Sequence, residues 1–274
     1  MEFITAGGAN IPALGLGTMF MTDKQIQAVV ATAIEAGVRH FDAAQIYGTE
    51  AFLGAALENS GSRRDELFIT TKIWGTNLAP DRFAASLDES LEKLRTDHVD
   101  LLLLHWPNEA VPLEVQIESL ETARASGKAR HIGVSNFSID WLDRALALAQ
   151  SPLVTNQIEI HPYCQQPRLV DASRARGLAT TAYFALAEGR APRDPVLAEI
   201  GARYGKSAAQ VALRWLLQLG HIVLTRTTNA RRMPENAAVF DFTLDLEDMT
   251  RISALAEPGT RLANFEGLAP IWDD

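Results

Sequence analysis

Short apolar runs recur along the chain and are separated by segments of mixed polarity. The runs are rich in leucine and β-branched residues, and they are continuous rather than alternating. Continuous apolar runs are typical of strands buried on both faces of a parallel sheet. The pattern therefore predicts eight strands, at 38–41, 67–73, 99–105, 130–135, 153–160, 178–184, 221–225 and 237–242.

Helical periodicity fills the gaps between these runs. In the segment 80–95, Pro80 suits the first turn of a helix, and apolar residues recur at helical spacing from Phe83 to Leu94. A further helix start is indicated just after the first run, at Gly48-Thr49-Glu50. Complete helices are predicted at 23–36, 80–95, 112–125, 138–149, 194–219 and 246–256.

Strands that alternate with helices indicate a parallel sheet, and eight of them are enough to close a barrel. No Pro-, Gly- or Ser-rich linker and no low-complexity tract divides the 274 residues. We therefore predict an α/β protein with one domain, residues 1–274, built as a (β/α)8 barrel. Ahead of the first run, FITAGGANIPAL predicts a β-hairpin that turns at Gly7-Gly8 and covers the bottom of the barrel.

The composition narrows the classes of partner. The formal net charge is −9 and neither Lys nor Arg forms a long run, which argues against nucleic acid or an anionic membrane as a main partner. The apolar stretches are too short to span a bilayer, and the first residues lack the pattern of a signal peptide. With one cysteine, Cys164, no internal disulfide can form. These features predict a cytoplasmic protein, and we expect a monomer because nothing in the pattern demands an interface.

Polar residues stand at the ends of the apolar runs. Asp42, Lys72, His105 and Ser135 follow four successive runs at separations of 30, 33 and 30 residues. In a barrel the carboxyl ends of all strands meet at one rim, where the sites of this architecture are built. The sequence therefore predicts a ring of polar groups on that rim, which also includes Asn136, Gln157, Glu159, Tyr183, Thr225 and Arg226.

Taken singly, these residues have ordinary explanations. A lysine that leaves a strand is commonly a surface residue, and an aspartate or a serine before a helix is commonly its cap. A histidine in an apolar run is commonly a core residue, and a tyrosine commonly only packs. These roles do not explain why Asp42, Tyr47, Lys72 and His105 come together on one rim, so we favour a reactive site.

The four residue types suit the reduction of a carbonyl. A tyrosine hydroxyl, with a pKa of about 10 in water, is a weak acid at neutral pH. We expect Lys72 to lower the pKa of Tyr47, and Asp42 to hold Lys72 in place. A neutral His105 could orient the carbonyl oxygen. Such a cluster protonates the carbonyl oxygen as the carbonyl becomes an alcohol. A hydride donor must then lie opposite the cluster.

Other rim residues suit a nicotinamide dinucleotide as that donor. The ring of Tyr183 offers a face on which a nicotinamide ring can stack. Ser135, Asn136 and Gln157 offer donors and acceptors for its carboxamide. The six histidines do not pair at the spacing of metal ligands, so no metal site is predicted.

A local basic cluster lies in TRTTNARRMPEN, residues 225–236. Arg226 and Arg232, with Thr227 beside a helix start, form an anion site of the kind that binds phosphate. In an acidic protein this cluster suits the 2′-phosphate of NADPH. Arg231 is interpreted as an ordinary solvated charge.

Several long segments carry a family resemblance: FDAAQIYGTE, ITTKIW, LLLLHWP, GKARHIGVSNF, TNQIEIHPY and RRMPENAAVF. In type, order and spacing they closely resemble the aldo-keto reductase family along almost the whole chain. The resemblance implies a TIM barrel and NADPH-dependent carbonyl reduction without metal or flavin. It implies that Tyr47 is the general acid. The implied cofactor contacts are Ser135, Asn136, Gln157, Tyr183, Arg226, Thr227, Arg232 and Asn236, with Glu235 a weaker candidate.

Within the family, EKLRTDHVD, TAYFALAEGR and EGLAPIWDD are most similar to bacterial 2,5-diketo-D-gluconate reductases of the B type, which also reduce methylglyoxal and similar small dicarbonyls. Two stretches differ from the family pattern. Phe184-Ala185-Leu186 stands where most members have Ser-Pro-Leu, whose serine contacts the pyrophosphate, so that contact is expected from the backbone or from residues 187–193. Thr225-Arg226-Thr227 replaces a common Pro-Lys-Ser and keeps the positive charge.

Large apolar residues are predicted to wall the substrate pocket. Trp74 and Trp106 are the strongest candidates, because each directly follows a strand-end polar residue; for the others ordinary burial explains the residue equally well. The others are Met19, Phe20, Phe265, Leu268 and Trp272. The family also includes regulatory channel subunits that bind NADPH as sensors, so a nucleotide-binding sensor with little turnover is the alternative function.

Overall fold

The computed structural model describes residues 2–273, and eight parallel strands in it close into a barrel. Around the barrel the strand order is β10-β3-β4-β5-β6-β7-β8-β9. Helices connect the strands, so both faces of each strand are covered, as the apolar runs predicted. The predicted TIM (β/α)8 barrel is confirmed. The barrel strands are β3 (Leu14–Gly17), β4 (His40–Asp42), β5 (Phe68–Ile73), β6 (Val99–Leu104), β7 (Ala129–Ser135), β8 (Leu153–Glu159), β9 (Ala179–Tyr183) and β10 (Ile222–Thr225).

The helices begin where local capping signals stand. Thr22 and Gln25 form a capping box at α1, Asp194 caps α7 through two backbone N–H groups, and Ser207 forms a capping box with Gln210 at α8. The helices are α1 (Asp23–Glu35), α2 (Glu50–Asn59), α3 (Pro80–Leu94), α4 (Leu113–Ala125), α5 (Ile139–Leu148), α6 (Pro167–Ala175), α7 (Pro195–Tyr204), α8 (Ala208–Gln218), α9 (Met233–Ala237) and α10 (Leu246–Ser253).

The predicted N-terminal hairpin is present. Strands β1 (Phe3–Ala6) and β2 (Ala9–Pro12) pair antiparallel, and both Gly7 and Gly8 have positive φ, as a two-residue hairpin turn requires. Side chains of the hairpin form a small apolar cluster with residues of the barrel strands, most of them near the strand starts, so the hairpin covers the bottom of the barrel. The cluster contains Ala9, Ile11, Phe68, Leu101, Leu103, Val154, Ala179 and Ile222.

One predicted strand was wrong. Residues 237–242 form no strand: Ala237 ends α9, the residues after it have no regular secondary structure, and Val239 packs into the core. The missing barrel strand is β3, which the sequence analysis did not recognise. Its Leu-Gly-Leu-Gly sequence lacks the β-branched residues that mark a strand. Gly15 is needed there because a Cβ at this position would lie 2.8 Å from the His40 ring.

The predicted helix 194–219 is two helices. Gly205 ends α7 in the left-handed conformation, with φ 64°, and Ser207 starts α8 two residues later. Helix α6 was not predicted. None of the helices between residues 2 and 273 combines the length and the apolar character needed to cross a bilayer.

Candidate active site

The carboxyl ends of the strands bring the predicted polar residues to one rim. Asp42 ends β4, Lys72 lies one residue before the end of β5, and His105 directly follows β6. Ser135 ends β7 and Tyr183 ends β9. All of these residues except Lys72 line one cavity of about 920 Å³, which opens at this rim.

Lys72 and Asp42 form a buried ion pair beneath the cavity. Lys72 Nζ donates to Asp42 Oδ1 at 2.5 Å and to the carbonyl oxygen of Ala43 at 2.8 Å. Lys72 is 0% exposed, so it is not a surface lysine, and Asp42 does not cap a helix. Burial disfavours the ammonium, but the pKa of Lys72 is nevertheless raised because Asp42 and Tyr47 favour the charged form.

Tyr47 lies on a short 3-10 turn, Gln45–Tyr47, next to this pair. Lys72 Nζ is 5.0 Å from the centre of its ring, and the His105 ring meets it edge-on at 5.5 Å. The expectation that Lys72 lowers the pKa of Tyr47 is only partly met. Burial raises the pKa of the Tyr47 hydroxyl, because the phenolate is poorly solvated, and the opposing effect of Lys72 does not reverse that shift.

His105 is neutral at physiological pH. Burial, and then the nearby charge of Lys72, hold the pKa of its imidazole well below the usual range. Its Nδ1 atom is buried and has no hydrogen-bond partner within residues 2–273, so His105 is not the ordinary core histidine that donates to a carbonyl from that nitrogen. The ring also meets Trp74 edge-on at 5.3 Å.

One hydrogen-bonded network joins the three predicted carboxamide contacts, Ser135, Asn136 and Gln157, to Tyr183, the predicted stacking face. Asn136 Nδ2 donates to the His105 carbonyl oxygen at 3.0 Å and to Ser135 Oγ at 3.1 Å. Tyr183 donates from its hydroxyl to Asn136 Oδ1 at 2.6 Å. The amide protons of Asn136 are therefore engaged inside the protein, while its oxygen, which accepts from Tyr183, keeps a second lone pair that can accept from a ligand.

Gln157 connects this network to the ion pair. Its Nε2 donates to Asp42 Oδ2 at 2.9 Å, so the two carboxylate oxygens of Asp42 accept from Gln157 and Lys72 respectively. The Ser135 hydroxyl donates to the Gln157 backbone carbonyl at 2.8 Å. Ser135 is thereby oriented by β8, and it caps no helix, because α5 begins after Ser138.

Basic residues of the segment 225–236 line the same cavity and form its basic end. Arg226 Nε donates to the Met19 carbonyl oxygen at 2.8 Å, which fixes the guanidinium beside the cavity. Asn236 is buried and donates to Thr225 Oγ1 at 3.0 Å. Arg231 does not line the cavity, in agreement with its interpretation as a surface charge. The predicted residues that line this end are Arg226, Thr227, Arg232, Glu235 and Asn236.

Six of the seven predicted apolar residues line the cavity: Met19, Phe20, Trp74, Trp106, Phe265 and Leu268. Trp272 does not, which corrects the sequence analysis. Its ring packs edge-on against Trp106 at 6.4 Å, and the Arg261 guanidinium lies 3.9 Å from its centre. Trp272 contributes to the site by supporting Trp106.

The loop after β9 has an unusual backbone. Phe184, Ala187 and Glu188 have φ angles of 52°, 46° and 48°, a region that side chains other than glycine rarely adopt. This loop replaces the Ser-Pro pattern, and Phe184, Ala185 and Leu186 all line the cavity. The backbone N–H groups of Ala185 and Leu186 donate no hydrogen bond within the part of the chain described, residues 2–273.

Some site residues were missed by the sequence analysis. Gln45 Oε1 accepts from the backbone N–H of Trp74 at 2.8 Å and from Asn77 at 2.9 Å, and so positions the Trp74 loop. The only signal for Gln45 was its place two residues before Tyr47. Glu188 and Arg193 also line the cavity, on the loop 187–193 that was named as a possible source of the pyrophosphate contact without individual residues.

The chain matches the model of the Aldo/keto reductase family over residues 13–257. It belongs to that family. It is 44% identical over 267 residues to the methylglyoxal reductase DkgB of Salmonella typhimurium, which covers 96% of this chain and all of the relative. It is 40% identical over 255 residues to the uncharacterized oxidoreductase YtbE of Bacillus subtilis, which covers 91% of both proteins.

Solved structures agree with this membership in the aldo/keto reductases. The crystal structure of a "putative 2,5-diketo-D-gluconic acid reductase B" superposes with a TM-score of 0.98 at 49% identity, over 100% of this chain and 98% of the other. The aldose reductase of Schistosoma japonicum superposes with a TM-score of 0.89 at 34% identity, over 94% of both chains. This aldo/keto reductase is therefore an oxidoreductase of the barrel type.

Proposed function

We propose that the protein is an NADPH-dependent reductase of aldehydes and ketones in which Tyr47 donates the proton. The observation that carries the proposal is the contact of the Tyr47 ring with both Lys72 and His105 at the floor of the cavity. A proton donor, a buried cation and a neutral imidazole around one point suit an oxygen that gains negative charge as it becomes a hydroxyl.

The charges of the cluster favour proton transfer in the direction of reduction. The raised pKa of Tyr47 keeps the hydroxyl protonated at neutral pH. Once the proton has moved, the Lys72 ammonium stabilises the phenolate, and the 2.5 Å contact with Asp42 keeps that ammonium in place. His105, held neutral by burial, donates a hydrogen bond to the substrate oxygen and orients it without competing as the acid.

The residues around the cavity fit a phosphorylated dinucleotide. Backbone N–H groups that lack a protein partner need another acceptor, and Ala185 and Leu186, whose N–H groups donate to no acceptor within residues 2–273, both line the cavity. We propose that they bind the pyrophosphate, and that Arg226 and Arg232 bind the 2′-phosphate. Tyr183 offers the stacking face and Asn136 its amide oxygen to the nicotinamide end. When bound, NADPH supplies the hydride.

Small dicarbonyls are the proposed substrates. The relatives named for methylglyoxal and for 2,5-diketo-D-gluconic acid support this class. The walls near Tyr47 are aromatic: the Phe20 ring lies 6.0 Å from the Tyr47 ring, and the Trp74 ring lies 5.3 Å from that of His105. Such walls suit a compact carbonyl compound.

The Tyr47→Phe variant tests the proposal. It removes the transferable proton and keeps the ring that packs on His105, so we expect the rate of NADPH oxidation with methylglyoxal to fall by about 10²–10⁴-fold, the usual contribution of a general acid. NADPH affinity, measured by fluorescence titration, should stay unchanged. Turnover near that of the unchanged protein would refute the role of Tyr47.

The same measurements separate an enzyme from a sensor. A screen of NADPH consumption should cover methylglyoxal, 2,5-diketo-D-gluconate, aromatic aldehydes and simple ketones. Turnover of at least one of them supports the reductase. Tight NADPH binding without turnover of any carbonyl would support the nucleotide sensor instead.

A further inference from the structure

One wall of the cavity is a segment without regular secondary structure. After α10 the chain crosses the rim again, and no helix or strand forms between residues 254 and 273. We call residues 262–268 the C-terminal wall; its Ala263, Phe265 and Leu268 line the cavity. The Phe265 ring packs edge-on against Trp106 at 5.9 Å, next in sequence to His105. The position of this wall therefore determines the space beside the reactive cluster.

A single buried carboxylate holds the start of this wall. Glu159, the last residue of β8, is 0% exposed. Its oxygens accept from the backbone N–H of Leu262 at 2.8 and 3.0 Å and from the backbone N–H of Ala263 at 2.7 Å. Hydrogen bonds from N–H groups to a carboxylate are short and strong, and they join the wall to the rigid barrel.

A histidine completes the donor set of Glu159. His161 Nε2 lies 2.8 Å from Glu159 Oε1, while His161 Nδ1 accepts from the backbone N–H groups of Tyr163 and Cys164 at 3.2 and 3.0 Å. Because Nδ1 is an acceptor, the ring carries its proton on Nε2 and donates it to Glu159. Three N–H groups thus compensate the burial of the carboxylate, and two of them belong to the C-terminal wall.

We propose that Glu159 is a positioning residue that sets which carbonyl compounds the site accepts, by fixing the C-terminal wall against Trp106. The proposal rests on the reductase function proposed above. The Glu159 carboxylate accepts hydrogen bonds from His161, Leu262 and Ala263, and within residues 2–273 it makes none to the reactive cluster of Asp42, Tyr47, Lys72 and His105. Its effect therefore reaches the substrate through the wall. Loss of Glu159 should therefore lower the activity toward large substrates that reach Phe265, and leave the activity toward small substrates unchanged.

The Glu159→Gln variant tests this role, because glutamine keeps the shape and one acceptor oxygen. We expect kcat/KM for 4-nitrobenzaldehyde to fall about tenfold, mainly through KM, the size expected for weakening hydrogen bonds to a charged group. The value for methylglyoxal should change less than about threefold, because a small substrate makes few contacts with the wall. NADPH affinity should not change.

Two further variants show whether the effect passes through the wall. Phe265→Ala should cause a similar selective loss, and adding Glu159→Gln to it should cause little further loss, since both changes remove the same contact. Glu50→Gln is the matched control: Glu50 is also a buried carboxylate, bonded to Thr71, and it does not contact the wall. It should leave the ratio of the two aldehyde activities unchanged.

Amide hydrogen exchange measures the anchor in the unmodified chain. We expect the amides of Leu262 and Ala263 to exchange far more slowly than those of Asn264 and Glu266, although none of them lies in a helix or strand. Equally fast exchange of all four amides would contradict the anchor. The anchor would also be contradicted if Glu159→Gln lowered kcat/KM equally for both aldehydes and weakened NADPH binding. If the unmodified chain reduces neither aldehyde, the reductase function fails, while slow exchange would still support the anchor.

Discussion

The hydroxyl of Tyr47 is subject to two opposing influences. Burial favours the neutral phenol, and the Lys72 ammonium favours the phenolate. Residue types alone indicated only the second influence, because the extent of burial depends on the packing of the whole rim. The outcome is a hydroxyl that keeps its proton at neutral pH and has a stabilising cation in reach when the proton leaves.

The assignment of the basic end of the cavity is testable with its two arginines. Replacing Arg226 and Arg232 with glutamine removes two charged donors, so we expect the KM for NADPH to rise about 10- to 100-fold, as for lost hydrogen bonds to a charged group. The KM for NADH, which lacks the 2′-phosphate, should change little. Arg231→Gln, in the same segment but outside the cavity lining, is the control. Equal losses for both cofactors would contradict the phosphate site.

His221 couples the stability of the barrel to pH. It is buried just before β10, 2.6 Å from Thr180 Oγ1, and burial lowers its pKa from 6.5 to about 4. The unfolded chain therefore takes up a proton near pH 6.5, which the folded chain takes up only near pH 4. The contribution of His221 to the free energy of unfolding should fall by about 3 kcal/mol on acidification across this window, and His221→Asn should reduce the total loss by that amount. Urea titrations at pH 7.5 and 4.5 measure the free energy of unfolding of both proteins. If the variant loses as much stability as the unchanged protein, the role of His221 is refuted.

At the scale of elements, capping and periodicity explain what the sequence could predict. Helix α3 begins at Pro80 and ends at Leu94, within one residue of the predicted range, because its start signal and apolar stripe are local. Strand β3 was missed because its identity depends on neighbours: Gly15 leaves room for the side chains of His40 and of Leu224 in β10. Local signals are readable in the sequence, whereas close packing between strands is not.

Close packing also determines the contact between α2 and α3. A Cβ at Gly54 would overlap the backbone carbonyl oxygen of Lys93, which cannot move aside as a side chain could. We expect Gly54→Ala to lower the free energy of unfolding by about 1–3 kcal/mol, despite the better helix propensity of alanine. Asn59→Ala, at the exposed end of the same helix, should not lower the free energy of unfolding. Urea denaturation of both variants measures this difference. A Gly54→Ala protein as stable as the unchanged protein would contradict the close contact between α2 and α3.

At the scale of the whole molecule, the strand ends, the loops and the C-terminal wall enclose one cavity, whose lining includes both Trp74 and Glu235. The organisation as one domain over residues 1–274 and the monomeric state stay predictions, as does the cytoplasmic location. We expect light scattering to give a mass near 29.9 kDa, and limited proteolysis to yield no stable half of the chain. A doubled mass or two resistant fragments would contradict these predictions.

The sequence by itself determined the barrel, the hairpin and the polar residues of the rim, because these depend on periodicity and on position relative to each strand end. Only the tertiary structure decided how those residues act together. It placed both amide protons of Asn136 inside the protein, packed Trp272 against Trp106, and joined Glu159 to a segment more than 100 residues away. Such contacts join chain segments that are distant in sequence, and their geometry follows from the closed packing of the barrel.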